Sequence, residues 1–134
     1  MLYREPKLLK YARNAVITFE NSDGTAAKTL LTMGSNGGLI ESWFVTSTDT
    51  TEREMVIAVQ QGSTTAIVDR ISIPAATGSV PVVIVPLMNP GRWSWLDPYN
   101  IKWAVQANVV FTCQMVSAVS SGAKVSVVCN YGEF

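Results

Sequence analysis

The stretch WFVTSTDTTEREMVIAV, residues 43–59, decides the fold. Two apolar runs rich in Val, Ile, Phe and Trp flank the polar segment TSTDTTE, residues 46–52. Apolar runs of this composition predict β-strands, and Ser, Thr and Asp between them predict a bend. Asp49 and its neighbouring threonines can hydrogen-bond to their own backbone and so turn the chain. We therefore interpret TSTDTTE as a hairpin connection between two strands, not as a binding site.

Outward from this stretch, short segments with a two-residue period recur between turn residues. The predicted strands cover residues 15–20, 26–33, 39–46, 53–60, 65–73, 80–85, 101–106, 109–116 and 123–131. Short strands at regular spacing are typical of antiparallel sandwiches and barrels. We predict an all-β fold, a single jelly-roll-like antiparallel β-sandwich of about eight to nine strands. Residues 1–14 form an N-terminal arm, and residues 15–134 form the sandwich domain.

The composition favours a protein that is partly covered by a partner. Only 15% of the 134 residues are charged, against about 25% in an average protein. The arm carries a net charge of +3 and the remainder −3. A basic arm can contact nucleic acid or an acidic protein face, but a solvated arm is the simpler interpretation, and we predict no nucleic-acid partner. The sequence has no apolar run of membrane-spanning length and no secretory signal, so we expect no membrane association and synthesis in the cytoplasm.

The residue types argue against an enzyme. The chain has no histidine, which removes the usual general base and any Ser-His-Asp or Cys-His nucleophile system. Glycoside hydrolysis needs only two carboxylates, but most acidic residues fall in turns or on alternating strand positions. A calcium site at Asp49, Glu52 and Glu54 is conceivable, although the spacing matches no EF-hand loop. We predict no catalytic residue, no cofactor and no metal.

The two cysteines, Cys113 and Cys129, are predicted to be free and buried. If SAVSSGA, residues 117–123, turns a hairpin, Cys113 lies opposite Ser126 and Cys129 opposite Val110. Side chains alternate along a strand, so the two thiols would then point to opposite faces of the sheet.

The segment PLMNPGRWSWLDPYN, residues 86–100, is predicted to be a long packed loop. Trp93, Trp95 and Tyr99 lie within it, and Trp103 follows. Aromatic rings on a β-sandwich can stack on sugar rings, which leaves a carbohydrate-binding module open. Large rings more often serve as core or interface residues, which favours a role in plugging the end of the sandwich.

Several segments, in this order, resemble a family of small tailed-bacteriophage proteins described as head decoration, cement or capsid-stabilising proteins. The segments are TLLTMGSNGGLIESWFVTSTDTTEREMVIAV, VDRISIPAATGS, WLDP and the closing AKVSVVCNYGEF. The resemblance runs from about Lys28 to Phe134 and rests on turns and strand edges. The chain departs from the family where LDPYNIKWAV stands in place of LPAG, and its basic arm has no family counterpart.

The resemblance implies a structural protein on the outer surface of a phage capsid, made in the bacterial cytoplasm. Its partners would be the major capsid protein and further copies of itself, most often as a trimer. The alternative is a carbohydrate- or receptor-binding module of a phage fibre or tail. The residues expected to contact a partner lie in the arm and in the 86–100 loop: Leu2, Tyr3, Leu8, Leu9, Tyr11, Trp93, Trp95 and Tyr99.

Overall fold

The computed structural model describes residues 9–77, 80–84 and 102–134, and in these residues the chain forms nine strands. The strands are β1 (Tyr11–Phe19), β2 (Lys28–Thr32), β3 (Gly38–Ser47), β4 (Arg53–Gln61), β5 (Thr64–Ile73), β6 (Val82–Ile84), β7 (Trp103–Val105), β8 (Val110–Met115) and β9 (Val125–Glu133). A 3₁₀ turn, Asn21–Asp23, follows β1. Each strand overlaps a segment in which the sequence pattern predicted one.

The strands form two antiparallel sheets. The first sheet has the order β1-β9-β3-β6. β7 pairs with the same edge of β3 as β6 does, but at the opposite end of that strand. The second sheet has the order β2-β8-β4-β5. All ladders in the described residues are antiparallel. The predicted all-β sandwich is confirmed.

Most connections cross from one sheet to the other. One connection is a hairpin: β4 pairs with β5 in the second sheet, and Gly62 between them has a φ of 60° that favours glycine. The predicted hairpin at TSTDTTE is wrong, because β3 belongs to the first sheet and β4 to the second. The predicted β8–β9 hairpin is wrong for the same reason. Hairpins and crossing connections use the same turn residues, so local composition did not separate them.

The core lies between the two sheets. Trp43 on β3 and Phe111 on β8 are both fully buried, and their rings meet edge to face with centroids 5.6 Å apart. Trp103 packs against the other side of Phe111 at 5.0 Å, also edge to face. Such pairs add about 0.5–1.5 kcal/mol beyond the apolar area they bury. These three rings therefore join the two sheets at one end of the core.

The first strand begins at Tyr11, inside the segment that we assigned to the arm. Residues 11–14 pair with residues 130–133 of β9 in an unbroken register. The side chains of these four residues are exposed, so they show none of the apolar alternation that marks a strand in a sequence. The boundary predicted between residues 14 and 15 therefore falls within β1.

Candidate interaction surface

Two of the residues predicted to contact a partner lie in the described part of the chain. The Leu9 side chain lies over Gly132 of β9 and keeps 38% of its surface exposed. Tyr11 opens β1, is 53% exposed, and has the Arg13 guanidinium 5.2 Å from its ring centroid. Leu2, Tyr3, Leu8, Trp93, Trp95 and Tyr99, with the rest of the 86–100 loop, lie outside the described residues.

The outer face of the first sheet contains a region of nine residues without charge. Alternate residues of its three longest strands are buried in the core or packed against it, so the residues between them point outward. These outward residues, which we call the uncharged face, are Asn14, Val16 and Thr18 on β1, Ser126, Val128 and Asn130 on β9, and Ser42, Phe44 and Thr46 on β3. None of them carries a charge, although charged residues are among the residue types most often exposed.

The uncharged face is ordered into three rows across the strands. Val16, Val128 and Phe44 are cross-strand neighbours and form an apolar middle row. Val16 lies on β1, the outermost strand of the sheet, and is 61% exposed. Val128 and Phe44 are half-buried, and an apolar patch rimmed by polar residues is a candidate site for binding another macromolecule.

Hydrogen bonds hold the two flanking rows in place. On one side, the Thr18 and Ser126 hydroxyls lie 2.9 Å apart. On the other, the Asn130 amide nitrogen donates to the Ser42 hydroxyl at 2.7 Å. The polar side chains are thereby partly satisfied within the sheet, which lowers the cost of removing this face from water.

The outer face of the second sheet is different, because charged pairs lie on it. The Arg70 guanidinium binds the Glu54 carboxylate through two nitrogens, one of them at 3.1 Å. The hydrogen bond from Arg70 lowers the pKa of Glu54. Ser72 donates to Glu52 beside this pair. The first sheet also carries an exposed pair, Lys102 with Glu41 at 3.8 Å, beside Ser42 on β3. The two outer faces therefore differ in the nine residues of the uncharged face, which has no counterpart beside Glu54 and Arg70.

Asp49 in TSTDTTE is a fully buried carboxylate that joins two connections between the sheets. The Arg53 guanidinium donates to Oδ2 at 2.7 Å, and the Thr51 backbone N–H donates to Oδ1 at 2.9 Å. From the β8–β9 connection, the Ser120 backbone N–H donates to Oδ2 at 2.9 Å and the Ser120 hydroxyl to Oδ1 at 2.8 Å. The Asp49 carbonyl also accepts from Ala76, at 2.7 Å, in the segment after β5.

These contacts give Asp49 a structural role. Burial alone would raise the pKa of Asp49, but the hydrogen bonds from Ser120, Thr51 and Arg53 hold it well below its usual range. Thr51 closes a turn of the kind predicted for this segment. The calcium site that the sequence left conceivable does not form, because Asp49 binds Arg53 while Glu54 binds Arg70. In the described residues, no group of three His, Cys, Asp or Glu side chains could hold a metal ion.

Both cysteines are free and buried, as predicted, but they do not lie on opposite faces of one sheet. Cys113 pairs with Ile57 in the second sheet and Cys129 with Trp43 in the first, and both thiols have no exposed surface. Both therefore point into the core. Burial raises the pKa of each thiol to about 12, so each is a neutral apolar group at physiological pH.

A groove of about 550 Å³ opens between β5 and β7 at the end of the core. Trp103, Phe111 and Val59 form its floor, and Gln61 and Gln106 flank it. The Gln61 amide nitrogen donates to the Gln106 carbonyl oxygen at 2.8 Å across this opening. The described residues that line it are apolar apart from Gln61, Gln106 and Thr64. No helix in the described part of the chain is long and apolar enough to cross a membrane.

Comparisons with known proteins do not assign a family. No family model matches the sequence, and no curated protein matches it significantly. Among solved structures, the chain aligns with the structure of infectious bursal disease virus Gx strain at 10% sequence identity and a TM-score of 0.23. The alignment covers 100% of this chain and 44% of that one. A similarity of this size supports no conclusion about fold or function.

Proposed function

We propose that this chain is a non-enzymatic structural protein of a phage particle, which binds the outer surface of the capsid and bridges its subunits. The observation that carries the proposal is the uncharged face, with its apolar row of Val16, Val128 and Phe44. The order of turn and strand motifs in the sequence, which resembles phage decoration proteins, supports the same class. A sandwich whose uncharged face is covered by a partner also fits the low fraction of charged residues.

The distribution of charge supports binding through the first sheet. Burying a charged side chain at an interface is costly unless it finds a partner there. Binding through the second sheet would incur this cost at the Glu54–Arg70 pair. Binding through the uncharged face would not, because that face has no charged side chain. Apolar area buried on the capsid would contribute about 25 cal/mol per Å², less the cost of association.

The Asp49 contacts support the mechanical part of the proposal. A protein that bridges capsid subunits has to transmit load through its own fold without opening. Hydrogen bonds among Asp49, Arg53 and Ser120 connect the β3–β4 crossing to the β8–β9 crossing. The Asp49 carboxylate that accepts them is fully buried from water. This connection fixes the two sheets relative to each other at one end of the sandwich.

Add-back to particles that lack the chain tests the proposal. Purified protein is mixed with particles of the encoding phage from which its gene has been deleted, and binding is measured by co-sedimentation. We expect saturable binding that Val128→Lys weakens by at least about tenfold, because a lysine would be buried against the capsid. Val56→Lys, a half-buried residue on β4 of the second sheet, is the matched control and should bind normally. Equal binding by both variants would contradict the use of the uncharged face.

A carbohydrate-binding module is the alternative, and its predicted platform of Trp93, Trp95 and Tyr99 lies outside the described residues. Glycan-array binding that is lost in Trp95→Ala, together with no binding to particles, would replace the capsid proposal.

A further inference from the structure

The outer side of β1 is the open edge of the first sheet. In the described part of the chain, β1 pairs with β9 on one side and with no strand on the other. An open edge presents backbone N–H and C=O groups that can pair with another chain. The nine residues Tyr11–Phe19 follow β9 without any register shift, so this edge is long and regular.

The other edges in the described residues carry features that obstruct pairing. β2 has five residues and an irregularity between Thr29 and Leu31. β5 has an irregularity opposite Ile57 and Ala58, and Arg70 on it is charged. β6 and β7 have three residues each. Short strands, bulges and charges are the usual protections of an edge. On β1 the charged groups are Arg13 and the Lys28 ammonium that binds the Thr18 carbonyl, and residues 14–17 between them carry no charge and no bulge.

One contact shows which backbone groups of β1 face outward. The Lys28 ammonium donates to the Thr18 carbonyl at 2.7 Å, so this carbonyl points away from β9. In an antiparallel ladder the N–H and C=O of one residue point to the same side, and the side alternates along the strand. The backbone groups that face outward therefore belong to Ala12, Asn14, Val16 and Thr18.

We propose that two copies of this chain pair through β1, antiparallel and about a two-fold axis at Ala15. Ala15 is the middle residue of β1, so this register overlaps the whole strand. Asn14 then lies opposite Val16 of the second copy, and Ala12 opposite its Thr18. The Asn14–Val16 pairs can exchange hydrogen bonds directly, whereas the Ala12–Thr18 pairs form only when the Lys28 ammonium leaves the Thr18 carbonyl.

Charge complementarity supports the antiparallel direction and this register. Lys10 immediately precedes β1 and Glu20 immediately follows it, and both are exposed. Antiparallel pairing about Ala15 sets Lys10 opposite Glu20 of the second copy at both ends of the contact. Parallel pairing would bring like charges together, and a slip of two residues would lose the match.

The pairing would also extend the first sheet across both copies. The uncharged face of one copy then lies beside the uncharged face of the other, and together they form one broader surface. An isologous contact of this kind closes at two copies, so it predicts a dimer, not the trimer that the family resemblance implies. The dimer does not depend on the proposed virion function.

Sedimentation equilibrium on the full chain tests the pairing. We expect the wild type to reach twice its 14.5 kDa monomer mass with increasing concentration. Val16→Lys should weaken the dimer at least about tenfold, since a lysine is a natural guard of strand edges. Ile67→Lys is the matched control, because Ile67 is 71% exposed on the edge strand β5 of the other sheet. Circular dichroism confirms that both variants are folded.

A charge exchange tests the register. Lys10→Glu and Glu20→Lys should each weaken the dimer by about tenfold, because each places like charges opposite each other at both ends of the contact. An equimolar mixture of the two variants should dimerise again, since every acidic residue then faces a lysine. A wild type that stays monomeric, a trimer, or a dimer that neither Val16→Lys nor the charge exchange affects would overturn the proposal. Failure of capsid binding with an intact dimer would contradict the virion function alone.

Discussion

The Asp49 carboxylate accepts two hydrogen bonds from Ser120, a residue 71 positions later in the chain, through the serine backbone N–H and its hydroxyl. This relationship joins the β3–β4 crossing to the β8–β9 crossing. It explains why a segment composed of Thr, Ser, Asp and Glu contains a fully buried side chain.

Asp49→Asn should be strongly destabilising. The substitution leaves the Arg53 guanidinium, whose side chain is 15% exposed, without its charged partner. It also replaces one carboxylate oxygen, which accepts hydrogen bonds from two donors, with an amide nitrogen that cannot accept. We expect a loss of about 2–4 kcal/mol in the free energy of unfolding, measured by urea denaturation. Thr51→Ala is the control, because its backbone donates the bond to Asp49, and it should stay within about 0.5 kcal/mol of the wild type. Equal stability of Asp49→Asn and Thr51→Ala would contradict this role.

The stability of the protein should fall in acid because of the same carboxylate. The pKa of Asp49 in the folded protein lies well below its usual range, while in the unfolded chain it is about 3.9. The folded state therefore binds fewer protons, and its added stability is present above about pH 4 and decreases as the pH falls below that value. Urea midpoints between pH 2 and 7 should fall more steeply for the wild type than for Asp49→Asn. Parallel curves would show that Asp49 does not carry the effect.

The sequence predicted the strands well and their pairing poorly. Apolar runs such as that from Met55 to Val59 are a local signal, and they mark strands in both sheets. Which strand pairs with which depends on distant contacts such as Asp49 with Ser120, and no local pattern contains them. The start of β1 was missed because residues 11–14 expose their side chains on both faces.

The uncharged face could have been found in part from the sequence. The alternate residues Ser126, Val128 and Asn130 are uncharged, and so are Ser42, Phe44 and Thr46. What the sequence did not contain was the adjacency of β3, β9 and β1, which brings these short series into one surface.

The thiols of Cys113 and Cys129 should not react while the protein is folded. Burial raises both pKa values to about 12, so at pH 8 neither thiol forms the reactive thiolate. Iodoacetamide should add to neither cysteine in native buffer and to both in denaturant, as measured by intact mass. Cys113→Ala or Cys129→Ala should cost about 1 kcal/mol through a small cavity. Rapid native labelling, or a mass two daltons below that of the dithiol, would contradict free buried thiols.

Removal of the arm should have two distinguishable effects. Deleting residues 1–8 leaves β1 and Leu9 in place, whereas deleting residues 1–14 also removes the part of β1 that pairs with residues 130–133. We expect the longer deletion to fold but to melt about 4 °C below the shorter one, which corresponds to about 1 kcal/mol in a domain of this size. Equal melting temperatures would show that residues 9–14 add nothing to the sandwich.

The central claim is that this chain is a structural component of a phage particle. Quantitative mass spectrometry of density-purified particles of a phage whose genome carries the gene tests this most directly, with the major capsid protein as the internal standard. The account predicts that the chain is present at a fixed ratio to the capsid protein, and that the ratio survives repeated purification. Absence of the chain from intact particles, or a trace amount that falls with each purification step, would contradict it.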